Sequence, residues 1–145
     1  MDQALIVIVL LMMSGQFGVA LAATLIVHPV LNSISKSSAL EAFKPFFHKT
    51  HNTMIVLSIA TTLVALAISI STKNWWWFGI AMLMHLNGPY TIVFMMPTNR
   101  RLMADDVNTN SAETAHDLAN WGKLHAVRTV LNGVILLGLL LLAVY

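Results

Sequence analysis

Four apolar runs, at 4–27, 46–70, 75–96 and 121–145, leave this chain of 145 residues few folds to choose from. Each has roughly the 20 residues that carry an α-helix across a hydrocarbon layer of ~30 Å, at a rise of ~1.5 Å per residue. Backbone amides find no water in lipid, so runs of this length must close their hydrogen bonds internally, as helices. The pattern predicts an all-α, integral membrane four-helix bundle, with residues 1–145 forming a single transmembrane domain. Only 10% of the residues are charged, against about a quarter in a soluble globular chain. The first run starts with Asp2 and no basic residue, and it is too long for a secretion leader. Ala20-Leu21-Ala22 is therefore read as part of a span and not as a cleavage site.

The breaks between runs set the expected orientation. Lys36, Lys44, Lys49, Arg100, Arg101 and Lys123 border the first and third connections, whereas Lys73 alone borders the second. Basic short loops stay cytoplasmic, so both termini are expected to be non-cytoplasmic. Trp75, Trp76 and Trp77 then anchor the outer interface and Trp121 the inner one. Helix starts are expected at the capping boxes Ser38–Glu41 and Asn110–Glu113. Pro45 is expected either to kink the second helix or to mark its first turn. Ser14, Gly18 and Ala22 form a small-residue face suited to close helix approach. The scattered basic residues give no reason to expect nucleic acid as a partner; the expected partner is the lipid bilayer. With no cysteine, disulfides, thiolate ligands and cysteine nucleophiles are out of reach.

Polar residues inside the runs carry the functional signal. Leu118, Trp121, His125, Arg128 and Asn132 recur at spacings of three and four, so they share one face of the last helix. An arginine at that depth either snorkels to the interface or faces a polar interior. Because His125 and Asn132 lie on the same stripe, the interior reading is preferred. His48, His51, Asn52, Ser58 and Thr62 on the second helix reach similar depth. So do Gln16 and the terminal His28-Pro29 on the first helix, and His85 on the third, which Asn99 closes. Asn87-Gly88-Pro89 is expected to break or bend the third helix, which is tolerated in a membrane only beside protein or water. Together these placements predict a cavity open to the cytoplasm and closed outward.

The blocks Asn87-Gly88-Pro89-Tyr90-Thr91, Met95-Met96-Pro97-Thr98-Asn99 and Trp121-Gly122-Lys123-Leu124-His125-Ala126-Val127-Arg128 resemble the anthrone-oxygenase-like membrane proteins. Much of that family is known only as a domain of unknown function. The resemblance spans essentially the whole chain and implies four transmembrane helices. From the few members with assigned chemistry, it also implies oxidation of an anthrone to a quinone. The motif positions are Asn87, Pro97, Asn99, Trp121, His125 and Arg128. His85 and His51 rest on depth alone.

A carboxylate-bridged di-iron site needs several acids projecting from bundle helices, and the six acids here lie in loops or helix starts. Glu113-Thr114-Ala115-His116 has the right local spacing but occurs once. Histidine-ligated copper or iron at His51, His85 and His125, or haem on a histidine pair, stays open. The favoured chemistry needs no cofactor: a deprotonated anthrone or hydroquinone-type aromatic passes an electron directly to dioxygen. His125 is then the base, Arg128 holds the oxyanion, and Asn99 or Asn87 orients it. Asn132, Trp121, His85 and His51 complete the expected substrate pocket, and no metal ligand is assigned. The competing reading is a structural or transport-type membrane protein whose polar groups form an interhelical network.

Overall fold

A computed structural model describes residues 2–145 and arranges them as four long helices, with no strand among those residues. They are α1 (Gln3–Ser33), α2 (Lys36–Thr72), α3 (Trp76–Met103) and α4 (Ala112–Val144), each long and apolar enough to cross a membrane. The chain is a multi-pass membrane protein. Helix α1 packs on α2 and α4, and α3 packs on the same two helices, closing an up-and-down ring. The α1–α2 and α3–α4 connections lie at one end, here the basic end. The termini and the α2–α3 turn lie at the other.

Helices α1 and α3 outrun their apolar segments, because prolines expected near their ends do not stop them. A helical proline lacks an N–H, and its ring collides with the carbonyl four residues back. Here the turn before the X-Pro step widens twice. Ala23–Val27 is a π-turn ahead of His28-Pro29, and Thr91–Met95 is a π-turn ahead of Met96-Pro97. The His28 and Met96 amides reach five residues back, to Ala23 and Thr91. Helix α1 therefore runs on past His28-Pro29, and α3 runs past Asn99. Asn87-Gly88-Pro89 does not break α3 either; the preceding Leu83–Leu86 tightens into a 3₁₀ turn and the α-helix resumes. Pro45 stands inside α2.

The helix starts also shift. Ser35 Oγ accepts from the Ser38 amide at 3.2 Å, and Ser38 Oγ accepts from Ser35 Oγ at 2.9 Å, so α2 begins a turn before the expected box. Ser111 rather than Asn110 caps α4, accepting from the Thr114 amide at 3.0 Å.

Two apolar clusters fill the bundle. Toward the termini, Val9, Met13, Ile68, Trp77, Ile135 and Leu139 pack together; toward the basic end, Leu40, Phe43, Met95, Leu102, Leu118 and Trp121 do. Trp77 and Trp121 are thus core residues, not interface anchors. Trp75 and Trp76 remain exposed at the α2–α3 turn. Phe43 and Phe46 meet the Trp121 ring edge-on at 5.4 and 6.3 Å, which explains its burial. Close helix approach uses α4 instead of the expected face on α1. Ser14 and Gly18 are exposed, whereas a Cβ on Gly122 would overlap the His28 ring and one on Gly133 would lie 3.1 Å from Phe17.

At the basic end α3 is clamped to α4. Arg101 donates Nε and Nη2 to the two oxygens of Asp117, each at 2.7 Å, and Asp117 is 2% exposed. Lys44 and Asp105, 3.1 Å apart on the surface, contribute far less.

Candidate functional site

Between the two apolar clusters lies a polar layer, and the α4 stripe supplies its floor. Leu118, Trp121, His125 and Asn132 are buried and Arg128 is partly so, while Val127 and Val130 on the opposite face are exposed. A cavity of about 440 Å³ opens above that floor, walled by α2 and α3. Arg128 and Asn132 line it from α4, Gln16 from α1, His51 and Ser58 from α2, and His85 and Asn87 from α3. A smaller space of about 20 Å³ adjoins it, sharing His51, Met54 and Arg128, and reaches His125, Trp121 and Phe47.

Arg128 dominates the electrostatics. Among the described residues its guanidinium has no carboxylate partner, and its Nε is buried without a hydrogen bond. Asp117, the one buried acid among them, already belongs to Arg101. A desolvated cation with no counter-charge is costly, so this position favours an anion brought from outside. Asn132 adds to the pull. Its Oδ1 accepts from Asn87 Nδ2 at 2.9 Å, which leaves its own amide hydrogens as donors beside the cavity. Asn87 Nδ2 also donates to the Met84 carbonyl at 3.0 Å, in the 3₁₀ stretch before Pro89. Far from breaking α3, that stretch turns an amide onto the floor.

The histidines have assignable tautomers. Thr129 donates to the Ala20 carbonyl at 3.0 Å, so Thr24 donates to Thr129 at 2.8 Å, and His125 Nδ1–H donates to Thr24 at 3.2 Å. Nε2 of His125 then carries the lone pair. The His125 ring is also held against Trp121, with centroids 4.9 Å apart. Thr62 donates to the Ser58 carbonyl, so His85 Nε2–H donates to Thr62 at 3.0 Å and its lone pair is on Nδ1. His51 stacks on Phe47 at 5.5 Å.

The residues expected to converge do so incompletely. Arg128, Asn132, Asn87, His85 and His51 share the large cavity, whereas His125 and Trp121 line only the small one. Asn99 lines neither. It is fully buried in α3, with both amide atoms unpaired. The sequence set it at the end of the third helix, but α3 runs on past it to Met103. His51, His85 and His125 do not assemble as a ligand set; no group of three or more His, Asp or Glu suited to a metal occurs among the described residues. Sequence reasoning missed Thr24 and Thr129, and placed Thr62 at the right depth without giving it a partner. Thr24, Thr62 and Thr129 orient the histidines, and only the i, i+4 spacing of His125 and Thr129 hinted at this.

The anthrone oxygenase family profile matches residues 43–138. The chain belongs to the anthrone oxygenase family. No curated protein and no solved structure matches it. Within the family match lie all the cavity-lining residues except Gln16, together with the whole lining of the smaller space.

Proposed function

We propose that this anthrone oxygenase family member binds an electron-rich planar aromatic as its oxyanion in the larger cavity and lets it react with dioxygen. The observation that carries the reading is Arg128, a cation without a counter-charge among the described residues, at the floor of a cavity among membrane-spanning helices. Its guanidinium fork and the Asn132 amide hold the anionic oxygen. His125 serves as the proton acceptor. The smaller space is large enough for one water molecule to connect its Nε2 with the Arg128 end of the cavity.

For an anthrone the steps balance without an external reductant. In the enol tautomer the hydroxyl proton leaves to His125 through that water, and the charge settles on the ring oxygen, beside Arg128. One electron passes to dioxygen, and the resulting superoxide and ring radical combine in a C–O bond. His125 returns its proton to the peroxide. Loss of the second methylene proton then breaks the O–O bond, releasing hydroxide and leaving a carbonyl. Anthrone plus dioxygen gives quinone plus water.

Oxygen uptake with anthrone, followed in membranes, tests the reading. Arg128→Gln removes the cation and is expected to abolish uptake. Arg128→Lys keeps the charge without the fork and is expected to retain a reduced rate. Uptake in Arg128→Gln equal to wild type would rule out the anion site.

Orientation belongs to the same proposal: the basic end, toward which the cavity lies, faces the cytoplasm. Reporter fusions after Tyr145 and within 105–110 are expected to report opposite sides, with the C-terminus outside. A cytoplasmic C-terminus would reverse the orientation.

A further inference from the structure

Helices α2 and α3 touch at their two ends and part between them. Helix α2 packs on Trp76–Met82 and on Met96–Met103, whereas the backbone between them stands further from it, bridged by the His85–Thr62 hydrogen bond. The gap opens the large cavity sideways. Its edges are Ile55 and Ile59 on α2 and Gly88 and Ile92 on α3; the three isoleucines are 44%, 50% and 67% exposed. Ile59 lies ten residues from Lys49 and fourteen from Lys73, so about 15 and 21 Å from either along the helix axis. What an exposed side chain meets at that depth in a spanning helix is acyl chain, not water. The route expected from the sequence, open to the cytoplasm, is obstructed: Phe46, Phe47, Met95 and Trp121 crowd the smaller space on that side.

We infer that the cavity is loaded from within the bilayer, through the gap between α2 and α3, and that its ligand is a membrane-dissolved aromatic bearing one ionisable oxygen. This rests on the reading that the cavity is the binding site. The polarity of the passage sets the ligand's direction. Ile55, Ile59 and Ile92 form an apolar rim and Arg128 and Asn132 a donor floor, so the oxygen enters first and the hydrocarbon part trails toward lipid. A ring carrying a permanent second charge, such as a sulfonate, would have to leave that charge in hydrocarbon, at a cost that excludes it. Gly88 keeps the rim low; a Cβ there meets nothing within 4 Å, so a larger side chain fits without disturbing α3.

The test uses the full chain in lipid nanodiscs and follows binding of anthrone and of a sulfonated anthrone by absorbance. Wild type is expected to take up anthrone and not the sulfonated compound. Gly88→Leu and Ile92→Trp are expected to slow both association and dissociation of anthrone at least tenfold. Arg128→Gln is expected to accelerate dissociation alone. In a separate measurement, a nitroxide on Ile92→Cys, in a chain with no other cysteine, should collide with dissolved oxygen and not with an aqueous nickel chelate. Wild-type association rates in both rim variants, or ready access of the nickel chelate, would overturn lateral entry. Anthrone binding that obeys these rates without oxygen consumption would refute the oxygenase reading and leave lateral entry standing. No anthrone binding at all would overturn both.

Discussion

Changing His125 to Gln is expected to lower oxygen uptake with anthrone by about 10²–10⁴-fold, the usual range for loss of a general base. The relay through Thr24 and Thr129 to the Ala20 carbonyl protonates Nδ1 and leaves Nε2 as the basic nitrogen. Glutamine keeps hydrogen-bonding capacity near Thr24 but has no comparable base. His85→Gln provides the contrast. His85 lines the large cavity directly but stands near its lipid-facing gap, so its loss is expected to weaken binding while leaving most of the turnover rate. Rates for both variants at saturating anthrone decide the matter. If His85→Gln suffers the larger fall in maximal rate, the base is His85 and His125 only positions Trp121 and Arg128.

Arg101→Met is expected to destabilise the protein by roughly 3–5 kcal/mol, the cost typical of leaving a buried charge unpaired. Asp117 is the buried partner, with a side chain 3% accessible, while that of Arg101 is 47% accessible. Removing the arginine strands a carboxylate inside the α3–α4 contact. Removing the carboxylate, as in Asp117→Ala, frees an arginine that can turn toward water, and Glu113 already lies 3.9 Å from its Nε. The two substitutions should therefore be unequal, with Arg101→Met the more damaging. Thermal or denaturant unfolding in detergent, followed by helix content, measures both. Equal losses would mean that the pair acts through packing and not through desolvation.

Much of the fold was legible because a membrane imposes one rule per apolar run, and the four runs obey it. The α4 stripe was legible for a similar reason. Spacings of three and four assign His125, Arg128 and Asn132 to one face, and their company favoured an inward arginine over one that snorkels. Depth and face do not say which neighbour a side chain meets. Trp121 looks like an interface anchor until Phe43 and Phe46 of α2 are seen to enclose it. Helix ends were misjudged at His28-Pro29 and at Asn99 because proline in sequence reads as a stop. Whether the preceding turn widens to absorb it depends on packing. The sideways gap was hidden for another reason: it depends on where α3 lies against α2, which no periodicity encodes.

The central claim is that Arg128 receives the ligand as an anion, and the absorption spectrum of the bound ligand tests it most directly. Ionised hydroxyaromatics absorb at longer wavelength than their neutral forms. In nanodiscs held at a pH where free 9-hydroxyanthracene is un-ionised in lipid, wild-type protein is expected to give the long-wavelength band of the anion, under nitrogen so that no oxidation follows. Arg128→Gln should bind with the neutral spectrum or not at all. A neutral spectrum in the wild type, or an anion band that survives in Arg128→Gln, would contradict the role assigned to this arginine.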